Sequence, residues 1–349
     1  MQRPSPQLQN RISLVVSVIS LAAVAWWVSK QDAPKFPDSL GGYLWLVGAL
    51  GVYALALAAR GWRWHRIMRL AEIPHRRADA YRLTLVGYMG NNVLPARGGE
   101  VLRIAILGSR TTAKRRTILG SIIAERMLDA AVLAALFAVL TWFDVADAPA
   151  GQWPAALAAV GLVLAGAALA GYLALRRRGY FEHFNEKVRP VTRALKVFAH
   201  AEGLLLASLS ALIWSLEGVT LLLVGNALGL QLHFLDSILI IVLASLLAAI
   251  PAAPGYAGTF DAGLVLGLNA VGVTGGTAVG FVLLARFVMF VPVTLAGLFV
   301  LLHRYRDFRL GGPRGQAVLG DAVEERPPER ARPDQDPARD QEPLGAAGR

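Results

Sequence analysis

The chain contains no cysteine. That excludes disulfides, thiolate nucleophiles and zinc–thiolate centres, and it leaves the redox compartment undetermined. Histidine is scarce too. The six present, His65, His75, His183, His200, His233 and His303, are scattered, and no two stand at the i,i+4 spacing of a helical metal site. No nucleotide-binding loop and no nucleophile–base pair is present, so neither a metal nor a cofactor is expected. Charge is thin as well. Only 17% of the 349 residues are Asp, Glu, Lys or Arg, against 55% hydrophobic, and the mean hydropathy is +0.48. Several apolar runs approach the roughly 20 residues that a spanning helix needs. The chain reads as an all-α polytopic membrane protein whose core is the bilayer-embedded bundle, with no separate soluble domain.

What charge there is lies in blocks. Seven arginines fall in 60–82 against Glu72 and Asp79. Six Lys/Arg fall in 97–116 against Glu100, and seven in 176–196 against Glu182 and Glu186. The net charge of +11 thus comes from basic loops flanking apolar spans, the positive-inside pattern, and not from a nucleic-acid surface.

Apolar runs cover 12–28, 41–59, 118–142, 154–175, 204–229 and 277–302. In the first, Ala23-Val24-Ala25 imitates a signal cleavage site, but the long apolar stretch and the Trp26-Trp27 pair favour an uncleaved anchor. The stretch 60–70 places Arg60, Arg63 and Arg66 at helical spacing beside Trp62 and Trp64, which suggests an interfacial helix on anionic lipid. The loop Asp144–Gly151 carries two Asp and no Lys or Arg, so it is expected outside.

Two further elements are too short to span. In NNVLPARGGEVLRIAILGS (91–109), apolar stretches meet at a Pro/Gly/charge turn, and both flanks are Arg-rich. A re-entrant hairpin near 82–108, entering from the cytoplasmic side, accommodates both. The second break, PAAPGYAGTFDAGLVLGL (251–268), follows Leu235–Ile250, and parity requires 235–272 to enter and leave on the outside. The expected architecture is a bundle of about six to eight transmembrane helices plus two re-entrant hairpins of inverted sense. It occupies residues 1–306, with a disordered Pro/Arg/Asp/Glu/Gly-rich cytoplasmic tail over 307–349. Both termini are expected in the cytoplasm. Inverted broken elements are how transporters build a midplane site.

The candidate site follows from those turns. A helix beginning near Gly98 points its free N–H groups and positive dipole end into the first turn. Arg97 adds a fork-shaped cation, Arg103 lies further along, and Asn91, Asn92, Gly98 and Gly99 offer polar or backbone contacts. This suits a lipid phosphate. Glu100 is expected to pair with Arg103 at i,i+3. In the second turn Pro254, Gly255, Gly258, Thr259 and Asp261 either hold a ligand or simply break and cap a helix. Glu125, Arg126 and Asp129 form a charged cluster that Arg97 or Arg103 would neutralise. Glu217 and Arg286, isolated in apolar runs, are expected to pair with each other, because buried ions need partners.

With those residues in view, NNVLPARGGEVLRIAIL, the Glu125-Arg126…Asp129 cluster and PAAPGYAGTFDAG resemble the lysylphosphatidylglycerol synthase transmembrane region family, the flippase-like membrane proteins. The resemblance covers roughly 10–305. It implies a membrane domain that moves lipids between leaflets of a plasma (inner) membrane, and relatives in lipid-linked sugar pathways. It implies roles for Arg97–Glu100 with Arg103, for Glu125, Arg126 and Asp129, and for Pro254–Asp261. The synthase has a large soluble catalytic domain after its membrane part, which is not found here, so lysyl-lipid synthesis is not expected.

The function expected is a lipid translocase binding an anionic phospholipid or polyprenyl-phosphate headgroup at the midplane, with Glu125, Asp129 and Asp261 recognising a cationic headgroup or relaying protons. Two other readings stand beside it. One is a membrane-embedded transferase acting on a lipid phosphate, with Glu100 or Asp261 as base. The other is an accessory subunit of a lipid-linked glycan or glycosyltransferase complex. Expected partners are membrane lipids, with a homo-oligomer or a partner membrane enzyme also open, and no nucleic acid.

Overall fold

The computed structural model describes residues 22, 24–26, 28–94, 97–142, 201–250 and 254–306. The expected spans 12–28 (for the most part) and 154–175, the loop Asp144–Gly151, the basic segment 176–200 and the tail from 307 lie outside the described residues. Among the described residues all regular structure is helical. The α-helices described from end to end are, in order, α1 Leu40–Leu70, α2 Arg77–Val93, α3 Gly98–Gly108, α4 Arg115–Trp142, α5 Ala201–Ala227, α6 Phe234–Ala248, α7 Thr259–Ala270 and α8 Gly275–Arg304. A single 3₁₀ turn, Pro254–Tyr256, precedes α7.

Three of these are long and apolar enough to cross a membrane: Leu40–Leu70, Glu202–Ala227 and Gly275–Arg304. Helix α4 has 28 residues, long enough to cross, but its middle turns carry Glu125, Arg126 and Asp129. Helix α1 starts where the Ser39 side chain accepts a hydrogen bond from the Gly42 N–H at 3.2 Å. It then runs 31 residues, about 46 Å at 1.5 Å per residue.

That length corrects one expectation. Residues 60–70 are not a separate interfacial helix but the continuation of α1. Arg60, Arg63 and Trp64 on this stretch are buried. The stripe Arg60/Arg63/Arg66 does lie on one side, as the spacing suggested, but it faces protein carboxylates rather than lipid phosphates. Arg66 reaches Glu202 of α5 at 2.7 Å. Neutralised arginines can stay in the helix, so nothing interrupts it.

The short helices pair. Helices α2 and α3, 17 and 11 residues, turn back on each other antiparallel, as do α6 and α7, 15 and 12 residues. At 1.5 Å per residue all four are shorter than a hydrocarbon core of about 30 Å. Glycine sets both contacts. A Cβ on Gly99 would collide with the Gly87 carbonyl, and one on Gly263 would collide with the Ala244 backbone. Backbone therefore lies against backbone, the close approach that small residues permit in membrane helices. Helix α6 is apolar on every side, and Ser237 through Ala244 are all buried. Such a helix belongs inside the bundle.

Candidate functional site

The tips of the two helix pairs meet. The Arg97 guanidinium of the first tip donates through Nη2 to the Ala248 carbonyl at 3.3 Å, and lies over the Tyr256 ring of the second tip at 5.8 Å. The Gly255 backbone runs beside the Asn92 carbonyl. Both facing residues hold left-handed backbone, Arg97 at φ 56° and Tyr256 at φ 53°. Side chains other than glycine adopt that region at a cost, and the surrounding structure must enforce it.

Each tip is fastened from behind. In the first, the Asn91 side chain accepts from the Gly99 N–H at 3.0 Å and so caps α3. Asn92 donates to the Thr294 hydroxyl at 2.8 Å, tying α2 to α8. In the second, Asp261 accepts from the Gly258 N–H at 2.9 Å at the start of α7. Arg286 grips Asp261 at 2.6 and 2.8 Å, and also donates to the carbonyls of Gly255 (2.7 Å) and Tyr256 (3.3 Å). The Thr259 hydroxyl donates to the Tyr256 carbonyl at 3.2 Å. Asp261, Thr259 and Arg286 thus shape the turn. Pro254 and Gly255 lie in the 3₁₀ turn itself.

Beside this junction runs an ion network. Arg60 reaches Glu217 at 2.6 Å and Asp129 at 3.7 Å. Arg63 reaches Asp129 at 2.6 Å and Glu125 at 3.3 Å, and its Nη1 also donates to the Ser210 hydroxyl at 2.6 Å. Arg103 reaches Glu125 at 2.8 Å and lies over the Trp64 ring at 3.8 Å. Arg126 lies 3.4 Å from Asp129, 3.8 Å from Glu125 and 3.9 Å from Glu100. Four arginines face four carboxylates, and most of the cluster is buried. Taking these charges out of water is costly, and it is tolerable because every carboxylate is matched.

Two pairings expected from the sequence are corrected here. Glu217 pairs with Arg60 and Arg286 with Asp261, so the two do not meet each other. Glu100 approaches Arg126, while Arg103 turns to Glu125. Neither the i,i+3 spacing of Glu100 and Arg103 nor the isolation of Glu217 and Arg286 in apolar runs decided the pairing, because packing brought partners from other helices within reach. The carboxylates Glu125, Asp129 and Asp261 are all held by arginines. A cationic headgroup would have to displace them.

A cavity of about 130 Å³ opens at the junction. Arg97, Tyr256, Tyr88 and Asn92 line it, together with Arg60, Arg126, Glu217 and Trp214. Its described walls hold three arginines and a single carboxylate. Arg60 and Arg126 are matched within the network. Arg97 has no carboxylate within salt-bridge reach among the described residues, and only a carbonyl and an aromatic face attend it. The cavity is therefore electropositive, and the unmatched charge is centred on the fork of Arg97. Of the expected site residues, Arg97, Asn92, Arg126 and Glu217 line it. Gly98, Gly99, Asn91, Pro254, Gly258, Thr259, Asp261 and Arg286 build the tips around it. Arg103, Glu125 and Asp129 stand in the buried network behind.

Sequence reasoning missed Arg60, Arg63, Tyr88, Trp214 and Tyr256. A signal existed for the first two in the i,i+3 arginine stripe. None existed for the aromatics, which look like ordinary apolar residues in a hydrophobic chain.

Comparison with known families identifies the chain's relatives. Residues 12–297 match the family described as the lysylphosphatidylglycerol synthase TM region. The chain belongs to this family. It is also similar to a "UPF0104 membrane protein" of Methanothermobacter thermautotrophicus, 26% identical over 326 residues, covering 83% of this chain and 94% of the relative. The protein is an integral membrane protein of the lysylphosphatidylglycerol synthase transmembrane family, built from apolar helices.

Proposed function

We propose that this family member is a lipid translocase that takes an anionic lipid headgroup, a phospholipid or polyprenyl phosphate, into the cavity between the hairpin tips. The observation that carries the proposal is Arg97: a guanidinium without a carboxylate among the described residues, in an electropositive cavity, at the N-terminus of α3. A half-buried guanidinium at the tip of a membrane hairpin, with no carboxylate beside it among the described residues, calls for an anion. A phosphate supplies the charge and accepts the bidentate fork.

In this reading both helix pairs are re-entrant. They are too short to cross, and they meet tip to tip, so they enter from opposite sides. The basic flanks at 60–82 and 110–116 support a cytoplasmic open end for the first pair, and this reading keeps both chain termini on that side. This reading sets the protein in the plasma membrane. Rocking of one half against the other would expose the cavity to each leaflet in turn. Because the buried carboxylates are engaged with arginines, the fitting headgroup is anionic rather than cationic.

Reconstitution into liposomes with headgroup-labelled phosphatidylglycerol tests the reading. Expected is movement of labelled lipid between leaflets without chemical change, lost in Arg97→Ala. A covalently altered lipid would point to a transferase. No movement of phosphatidylglycerol or of a polyprenyl phosphate would overturn the translocase.

A further inference from the structure

A second cavity, of about 330 Å³, lies between α1, α2 and α8. Its walls are almost wholly apolar, with Leu50 and Leu57 on α1, Leu85 on α2, and Val288 and Val293 on α8. Tyr53 is common to both cavities. This buried side chain thus lines both the cationic chamber and the apolar one. We infer that the apolar slot takes one hydrocarbon chain of the lipid whose phosphate is held at Arg97, with Tyr53 as the wall between head and tail. The inference rests on the headgroup reading above.

Three features support a chain over any other occupant. First, the chemistry of the slot changes within the width of one side chain, as it does along a lipid from phosphate to hydrocarbon. Second, the slot has a small-residue edge. Ala54 and Ala58, one helical turn apart on α1, and Ala296 on α8 are exposed at its margin. A methyl side chain at these positions leaves a gap between two spanning helices where a larger residue would close it. Third, Pro292 lies within α8 and lines the slot with Val288. Proline has no N–H, so the Val288 carbonyl lacks its helical donor, and the ring disturbs close packing along that face. Room between α8 and α1 follows. A polar headgroup has no partner there beyond Tyr53 and Tyr81, whereas a hydrocarbon chain needs none.

Two probes separate the slot from the head site. Glycerol phosphate, a headgroup with no tail, reads the cationic chamber through the thermal shift it gives. Phosphatidylglycerol with a diazirine near the end of one acyl chain reads the slot through crosslinked peptides. In the wild-type protein, crosslinks are expected on the segments containing Leu50–Leu57 and Val288–Ala296. Ala58→Phe should reduce them several-fold while leaving the glycerol phosphate shift in place. Arg97→Ala should remove both signals. Crosslinks spread evenly over outward-facing positions such as Leu44, Val47 and Leu298 would overturn the slot and leave the headgroup reading untouched. Slot crosslinks that persist in Arg97→Ala would overturn joint occupancy by one lipid. Absence of any glycerol phosphate shift in the wild type, with slot crosslinks retained, would sink the headgroup reading and with it the shared-lipid proposal.

Discussion

Arg60 and Glu217, 157 positions apart in sequence, form a buried ion pair through two hydrogen bonds of 2.6 and 3.1 Å. The pair fastens α1 to α5, and Arg60 also stacks over Trp214 at 5.0 Å. Removing one partner leaves a charge stranded at low dielectric, which costs about 3–5 kcal/mol, whereas replacing both with apolar residues is near neutral or stabilising. Arg60→Met and Glu217→Leu should each lower the melting temperature sharply, and the two together should recover most of the loss. Additive losses in that cycle would mean that the two ions do not depend on each other. Asp129, 3.7 Å from Arg60, keeps recovery incomplete.

Arg97 should behave oppositely. Its described contacts are one carbonyl and one aromatic face, so Arg97→Ala strands no described carboxylate. The variant should melt within a few degrees of wild type but no longer retain phosphatidylglycerol through purification. Arg97→Lys keeps the charge and loses the fork, so retention should be intermediate. Collapse of Arg97→Ala, with rescue by Glu100→Gln, would show that its partner is a carboxylate and not a ligand.

Two glycines should respond with opposite signs to the same substitution. Gly51 on α1 has open space where a Cβ would go, and it is exposed. Gly51→Ala should therefore raise stability by about 0.5–1 kcal/mol, the helix-interior cost of glycine. At Gly99 the new methyl meets the Gly87 carbonyl. Gly99→Ala should lower the melting temperature and disturb lipid retention, because α3 must move off α2. Equal responses at the two positions would contradict the backbone contact between α2 and α3.

Topology can be read with single cysteines, because the native chain has none. A cysteine replacing Ser109, at the open end of the first helix pair, should react with an impermeant maleimide from the cytoplasm. One replacing Gly272, at the open end of the second, should react from outside. Labelling of both from the same side would rule out opposed hairpins.

Much of this protein could be read from its sequence. Composition together with apolar runs of about 20 residues pointed to a membrane bundle, because runs that long match the thickness of a bilayer. The breaks at Pro95–Gly99 and Pro254–Gly258 marked two helix pairs, since proline and glycine end helices by local sterics that need no tertiary partner. The start of α3 at Gly98 was legible for the same reason. Spacing also placed Glu125, Arg126 and Asp129 together, because i,i+3 and i,i+4 neighbours are fixed by the helix itself. Only the tertiary structure decided which arginine meets which carboxylate. An ion pair is satisfied by whichever opposite charge packing brings within about 4 Å, and that choice leaves no trace in local spacing. Arg60 and Arg63 therefore looked like lipid-facing cations until α4 and α5 supplied Asp129, Glu125 and Glu217. The aromatic walls of the cavity and the sharing of Tyr53 between two chambers were hidden for a related reason. In a hydrophobic chain an apolar side chain carries the same signal whether it faces lipid, core or ligand.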